Sequence, residues 1–440
     1  MLNFLFNFFL KKLSTNNFLN NSAWAISGSF VSKGLMFLGG LAVVNLLGKF
    51  DFGVFSLMKS TIVAFSTFFA LGFNYVCTKF IAESLDGNEK NIYQVYKLTG
   101  LFSLSLSIVS IVVIVFFGNT LSTIIIQNNE NIVSFSLISP FVLAYIMYNW
   151  TVGVMSGLGK FKKLAFNDII NGISTFIFTV TLTFFYGING ALISLFFSYF
   201  LCFLLNMRSL NNEIKYYKTI SNPDLNLIQK ILKFSLPFSL QEMVYPIFVW
   251  GTNFSIVYYS SYEALGLFSA ALQWNAIVII IPAMLKNVIL SNISSNISKI
   301  FETKQVITNS VKINFITSGL VAVVIIILSK IKFFKTLYID SFEGIDQLIL
   351  IGVLSSLILS ISDVYLQFLI ANSKNWLVLL LKFFRDAIKI ILIILLIDYS
   401  LTEIVAVNRV LIIILLTNTL FFFSIVFSYK NFLRKIKNVS

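Results

Sequence analysis

Residues 92–118 read IYQVYKLTGLFSLSLSIVSIVVIVFFG, and the 21 residues after Lys97 carry no charge. A helix of about 20 apolar residues crosses the roughly 30 Å hydrocarbon core of a bilayer, so this stretch reads as a membrane span. Working outward from it, similar runs recur from Ser22 almost to the end of the chain. Polar or glycine-containing breaks divide them into twelve expected spans: 22–47, 52–75, 92–118, 132–156, 164–186, 188–207, 231–259, 264–290, 311–329, 345–371, 375–397 and 401–428. Hydrophobic residues make up 58% of the 440 residues and charged ones 11%, too little polar surface to coat a soluble fold. The expected fold class is an all-α polytopic membrane protein.

The net charge of +14 does not point to nucleic acid, because the basic residues stand singly between apolar runs rather than in one domain. They report orientation instead. Connections on one side of the twelve spans, counted with the adjoining span-end lysines Lys97, Lys233, Lys286 and Lys312, hold 22 of the 32 Lys and Arg residues and those on the other side hold 4, namely Lys49, Lys330, Lys332 and Lys335. Basic residues favour the cytoplasmic side, so both termini are expected in the cytoplasm. Histidine is absent, and Cys77 and Cys202 lie far apart in apolar surroundings, which indicates neither a metal site nor a disulfide. At the start, Lys11 and Lys12 follow a short apolar stretch, the reverse of a signal peptide, and residues 1–21 read as an amphipathic segment lying on the membrane.

Two landmarks are duplicated. Gly48-Lys49-Phe50-Asp51-Phe52-Gly53-Val54-Phe55-Ser56 at the second span resembles Ser261-Tyr262-Glu263-Ala264-Leu265-Gly266-Leu267-Phe268-Ser269 at the eighth, both closing on Gly-x-Phe-Ser. Gly157-Leu158-Gly159-Lys160-Phe161 resembles Ala371-Asn372-Ser373-Lys374-Asn375. Gly53 to Lys160 is 107 positions and Gly266 to Lys374 is 108, so both similarities share one offset. Each repeat holds six spans, an even number, so the copies enter the membrane the same way round and are expected to flank a central cavity. The organisation expected is a six-helix lobe over 22–207, a cytoplasmic linker over 208–230, a second six-helix lobe over 231–428 and a basic tail over 429–440. The same offset pairs the first span, interrupted by Gly28, Gly34, Gly39 and Gly40, with the seventh, interrupted by Pro237 and Pro246. Such breaks serve either close helix packing or moving and binding elements.

These residues, with Asn21-Ser22-Ala23-Trp24 and Leu265-Gly266-Leu267-Phe268-Ser269-Ala270-Ala271, resemble the polysaccharide flippase family of the multidrug, oligosaccharidyl-lipid and polysaccharide exporter superfamily. The family commonly carries Pro and Glu where this chain has Lys49 and Phe50. The resemblance implies that the chain moves undecaprenyl-pyrophosphate-linked oligosaccharide from the inner to the outer leaflet of the bacterial cytoplasmic membrane by alternating access. It would serve O-antigen, capsule or other surface polysaccharide assembly, beside a polymerase and other assembly proteins. A multidrug exporter of the same superfamily would share the fold and repeat. A membrane-bound polymerase or glycosyltransferase would need an acidic catalytic motif or a long outer loop, and neither is present, so no enzyme activity and no organic cofactor are expected.

A diphosphate crossing hydrocarbon needs its water replaced. Lys382, Arg385, Asp386 and Lys389 in the eleventh span follow spacings of three and four and share one helical face, net basic. Each intramembrane charge costs about 2.5–3.5 kcal/mol on insertion scales, so this face is expected to avoid lipid and bind the substrate head group, with Lys33 and Arg409 as further contacts. Lys382 could instead snorkel, and Asp386 could serve only to neutralise its neighbours. Glu242 and Asp363, with Asp168 nearer a span end, are the buried carboxylates. They either bind a coupling H+ or Na+ or form static ion pairs with a lysine of another span.

Overall fold

The structure is a computed structural model that describes residues 17–86, 90–126, 139–217, 225–295, 300–372, 374–398 and 400–437. Residues 1–16 of the expected surface segment, 218–224 of the linker and 438–440 of the tail lie outside them. The described chain forms helices α1 (Asn17–Ala70), α2 (Phe73–Asp86), α3 (Lys90–Ile126), α4 (Ser139–Gly157), α5 (Phe161–Ile214), α6 (Leu225–Tyr259), α7 (Tyr262–Ser295), α8 (Ile300–Lys330), α9 (Phe333–Leu337), α10 (Ile345–Ala371), α11 (Asn375–Leu396) and α12 (Glu403–Lys437). Eleven of the expected spans lie on helix apart from residues at their ends and the break at Leu71 and Gly72, and the fourth does so over 139–156, its residues 132–138 lying outside the described ones. Large apolar side chains such as Phe116, Phe184, Phe185 and Phe427 are exposed on the surface, as lipid solvation requires.

Seven of these helices are long and apolar enough to cross a bilayer by length and composition. Two of them hold two spans each. α1 and α5 are 54 residues long, about 80 Å if straight, which is more than twice the hydrocarbon thickness. Each breaks at a glycine in the left-handed region, Gly48 at φ 72° and Gly187 at φ 56°, where a side chain would be strained. α5 folds back on itself at Gly187: the Ser194 hydroxyl lies 3.2 Å from that of Thr179, although 15 residues of straight helix would separate them by about 22 Å. Asn167 likewise donates to the Asn206 side-chain oxygen at 2.8 Å across the hairpin.

The structure divides into two compact units, Met1–Val43 with Lys59–Pro246, and Val44–Met58 with Ile247–Ser440. The sequence places its division in the linker 208–230, whereas by contact the chain divides within α6. The reason is local. The Ser235 hydroxyl of α6 donates to the Leu71 carbonyl at 2.7 Å, where Leu71 (φ 44°) and Gly72 (φ 62°) break the helix between α1 and α2. This bond ties the first half of α6 into the first unit.

Within the first unit α4 is the inner helix, packed against α2, α3 and α5. The Trp150 indole donates to the Thr99 hydroxyl at 3.1 Å, and the Cys77 thiol also lies 3.1 Å from that oxygen. Asn206 reaches Thr151 at 3.2 Å. Cys77 and Cys202 are buried free thiols, serving as packing residues. Within the second unit α10 takes the same position, packed against α7, α8 and α12. Its serines make close, hydrogen-bonded crossings: Asn314 donates to the Ser360 carbonyl at 2.9 Å, and Asn418 to the Ser355 hydroxyl at 2.7 Å. Small residues and buried polar contacts are how helices associate where lipid offers no hydrophobic drive.

The duplicated landmarks are structural equivalents. α4 and α10 end with the same bond, Lys160 N–H to the Met155 carbonyl at 3.0 Å and Lys374 N–H to the Leu369 carbonyl at 2.9 Å. The two lysines then open α5 and α11 with nearly equal backbone angles, φ −83°, ψ 43° and φ −89°, ψ 37°. The two Gly-x-Phe-Ser copies meet each other inside the second unit. A Cβ on Gly53 would strike the Tyr262 carbonyl, and a Cβ on Gly266 would strike the Lys49 carbonyl. Around this crossing, Phe50 packs edge-on against Tyr262 at 5.5 Å, Lys49 pairs with Glu403 at 2.5 Å, and Asn45 donates to the Leu337 carbonyl at 2.9 Å.

Replacing Gly266 by Leu should therefore destabilise the protein by about 3 kcal/mol or more, since the obstacle is backbone and cannot rotate away. Gly319→Ala, with open space around its Cβ, should change little. Thermal unfolding of both purified variants in detergent checks the pair. Equal midpoints would show that the crossing is not close.

Candidate functional site

α11 is built inside out. Its apolar residues Trp376, Phe384, Ile391 and Leu395 are exposed by 70%, 57%, 55% and 71%. Its charged side chains Arg385 and Lys389 are each 12% exposed, and that of Asp386 4%. Lys382 is half-buried on the same face. The helix carries four charges in 22 residues, which explains why it fails a simple apolarity test for a span while its outward face is as greasy as any in the chain.

Asp386 holds the cluster together. Arg385 donates to both of its carboxylate oxygens, Nε to Oδ1 at 3.1 Å and Nη2 to Oδ2 at 2.7 Å, and Lys389 Nζ donates to Oδ1 at 3.1 Å. The guanidinium carbon also lies 4.7 Å from the centre of the Phe421 ring on α12, a cation–π contact. Asp386 thus neutralises one neighbour, and with Lys382 the face keeps two positive charges beyond it. α11 is held in place by Phe248 of α6, edge-on to Phe383 at 5.4 Å, and by Ile390 against Gly251.

The remaining residues singled out by the sequence fall elsewhere. Arg409 is exposed and its Nη1 donates to the Leu396 carbonyl at 3.0 Å, so it caps the last turn of α11, where a cation meets the negative end of the helix dipole. Lys33, exposed on α1, is within electrostatic reach of Asp168 on α5 in the first unit. Glu242, in the first unit, accepts a hydrogen bond from the Tyr75 hydroxyl and lies near Tyr145. Asp363 is half-buried on α10 in the second unit and makes no ion pair among the described residues. The structure therefore brings together Arg385, Asp386 and Lys389, sets Glu242 against the Tyr75 phenol, and gives Arg409 a structural partner. The sequence reading missed Tyr75 and Phe421. Neither has a periodic relation to its partner, since both contacts join separate helices, and a tyrosine or phenylalanine inside an apolar run carries no signal of its own.

The helical architecture, the paired six-span repeats and the inward charge define a multi-pass membrane protein with a transporter fold. Among solved structures, the chain matches the inward-facing conformation of a multidrug resistance MATE family transporter of the MOP superfamily with a TM-score of 0.75 at 13% identity, covering 94% of this chain and 99% of that one. The outward-facing conformation of such a transporter gives 0.68 at 14%, covering 94% and 95%. A MOP superfamily transporter from Pyrococcus furiosus gives 0.67 at 13%, covering 95% and 96%. At these identities the likeness concerns the fold. The chain belongs to the polysaccharide biosynthesis protein family, whose model matches residues 18–291. An uncharacterized membrane protein of Methanocaldococcus jannaschii is 25% identical over 272 residues, 57% of this chain and 64% of that protein, so this chain spans somewhat under two thirds of that relative's length.

Removing the shared carboxylate strands two low-exposure cations, a loss worth about 3–5 kcal/mol when one partner of a buried pair is deleted. Asp386→Asn should accordingly lower the thermal midpoint sharply, and Asp386→Asn with Lys389→Gln should recover part of the loss. If the single variant melts with the wild type, the cluster is solvated and the inward placement is wrong.

Proposed function

We propose that the protein is a flippase that moves a polyprenyl-diphosphate-linked oligosaccharide across the membrane by alternating access, for assembly of surface polysaccharide. The observation that carries this reading is the net-positive face of α11, turned away from the lipid-facing surface in a chain of the polysaccharide biosynthesis family. A diphosphate taken out of water needs positive charge and hydrogen-bond donors already in place, because isolated anions are heavily penalised in a low dielectric. Lys382, Arg385 and Lys389 supply them, and Lys33 in the first unit is proposed as a head-group contact of its own. Arg409 contributes by fixing the end of α11 rather than by touching the head group.

An exporter of organic cations would need the opposite polarity. The P. furiosus transporter of similar fold is described as having a reversed polarity of its binding pocket that suggests a different function, which illustrates that the same scaffold accommodates either sign. Multidrug export remains the competing reading, supported by the fold shared with MATE transporters. Glu242 is proposed to couple transport to H+ or Na+: its carboxylate is hydrogen-bonded to Tyr75, so a change in its charge would alter a contact between α2 and α6. The bacterial cytoplasmic membrane, both termini inside, and a polymerase as neighbour in assembly belong to the same proposal, as does the absence of any organic cofactor.

In proteoliposomes loaded with undecaprenyl-diphosphate-linked sugars, Lys389→Gln should slow flipping by tenfold or more while leaving insertion and folding intact. A wild-type rate in that variant, or efflux of organic cations by a wild type that leaves the sugars in place, would overturn the flippase reading. Separately, Glu242→Gln should flip sugars at a rate independent of imposed H+ and Na+ gradients. A gradient response equal to that of the wild type would remove Glu242 from coupling.

A further inference from the structure

α11 spans about 33 Å, the thickness of the hydrocarbon core, and Arg385 is the eleventh of its 22 residues. Its Cα therefore lies about 15 Å along the axis from either end of the helix, which puts it near the middle of the span. A guanidinium carries five N–H donors. Two are given to Asp386, and the other three have no protein acceptor among the described residues. Hydrocarbon supplies no acceptor either, and each open donor at that depth is costly.

Arg385 lines a cleft between α11 and α12 together with Thr417 and Ser424. The hydroxyl protons of Thr417 and Ser424 already go to the Ile413 and Leu420 carbonyls, so Arg385 alone among the lining side chains has donors to spare. The lips are apolar and open to the surroundings of the chain: Phe384, Ile388 and Leu420 are 57%, 43% and 60% exposed. A cleft with a cation in its lining and hydrocarbon at its edges matches a ligand with an anionic group joined to an apolar chain. Depth decides which one. The phosphate of a bulk phospholipid stays at the interface, about 15 Å away; the phosphate of a lipid being carried across passes the midplane.

We propose that this cleft seats the junction between the isoprenoid chain and the diphosphate of the carrier lipid in mid-passage. Prenyl carbons lie along Phe384, Ile388 and Leu420, and a diphosphate oxygen accepts from Arg385. The proposal rests on the flippase reading above and adds to it where the lipid half of the substrate runs, on the outer seam of the second unit.

The test uses purified full-length protein in nanodiscs with the photoreactive residue benzoylphenylalanine at Leu420, and a second preparation with it at Phe116 of α3. Undecaprenyl diphosphate, undecaprenol and phosphatidylglycerol are supplied at equal mole fraction, and adducts are counted by mass spectrometry. Undecaprenyl diphosphate should label position 420 at least tenfold more than either other lipid. Position 116 should show no such preference. Arg385→Gln should abolish the preference and Arg385→Lys should retain part of it. Equal labelling by the three lipids, or a preference unchanged by Arg385→Gln, would overturn the proposal.

A cleft-filling variant, Leu420→Trp, separates this idea from the one it rests on. Folded Leu420→Trp protein that flips sugar-linked lipid at least tenfold more slowly supports the cleft. The same variant flipping at the wild-type rate rejects the cleft and leaves the flippase reading intact. Selective labelling at 420 in a wild type that flips no sugar-linked lipid would keep the cleft as a lipid diphosphate site and reject the flippase reading.

Discussion

Hydrocarbon neither accepts a hydrogen bond nor solvates a charge, and most of what this chain does follows from that constraint. The spans are helical throughout the described residues, apart from breaks and ends, because only a helix satisfies its own backbone within one segment. The polar side chains that remain find one another inside each unit, as in the contacts of Asn206 with Thr151 and of Asn418 with Ser355. α11 is the extreme case: it buries Arg385, Asp386 and Lys389 and presents phenylalanine and leucine outward, inverting the pattern of a soluble amphipathic helix. The charges are costly to place there. Their retention in the middle of a span is the feature that asks for a function.

The repeat gives the scaffold its order. Equivalent helices α4 and α10 lie innermost in their units and end with the same capping bond, and the lysines that follow open α5 and α11 with nearly equal backbone angles. The two Gly-x-Phe-Ser copies are functional as geometry rather than as chemistry. Gly53 and Gly266 carry no side chain because each lies against the other segment's backbone. Lys49, which departs from the Pro usual in the family, here pairs with Glu403 and so anchors the same crossing from the side.

Span positions, the repeat and the shared face of the α11 charges were all legible in the sequence, because each depends on local composition or on spacing along one helix. Contacts between helices were not. Nothing local says that Arg409 caps α11, that Tyr75 meets Glu242, or that Phe421 lies over Arg385, since these partners are 13, 167 and 36 residues apart. The Gly187 hairpin was visible as a boundary between two spans but not as a continuous helix doubled back on itself. The contact boundary inside α6 was hidden too, because it follows from one serine reaching a strained carbonyl at Leu71 rather than from any change in composition.

A head-group site on α11 requires its charged face to be turned from the lipid. Spin labels placed one at a time along the helix in lipid nanodiscs report the face directly through their collision rates with oxygen, which dissolves in hydrocarbon. Labels at Leu380, Phe384, Ile391 and Leu395 should be oxygen-accessible, and labels at Lys382, Asp386 and Lys389 should be protected, with a period near 3.6 residues. A reversed pattern, with the charged positions the more accessible to oxygen, would contradict it.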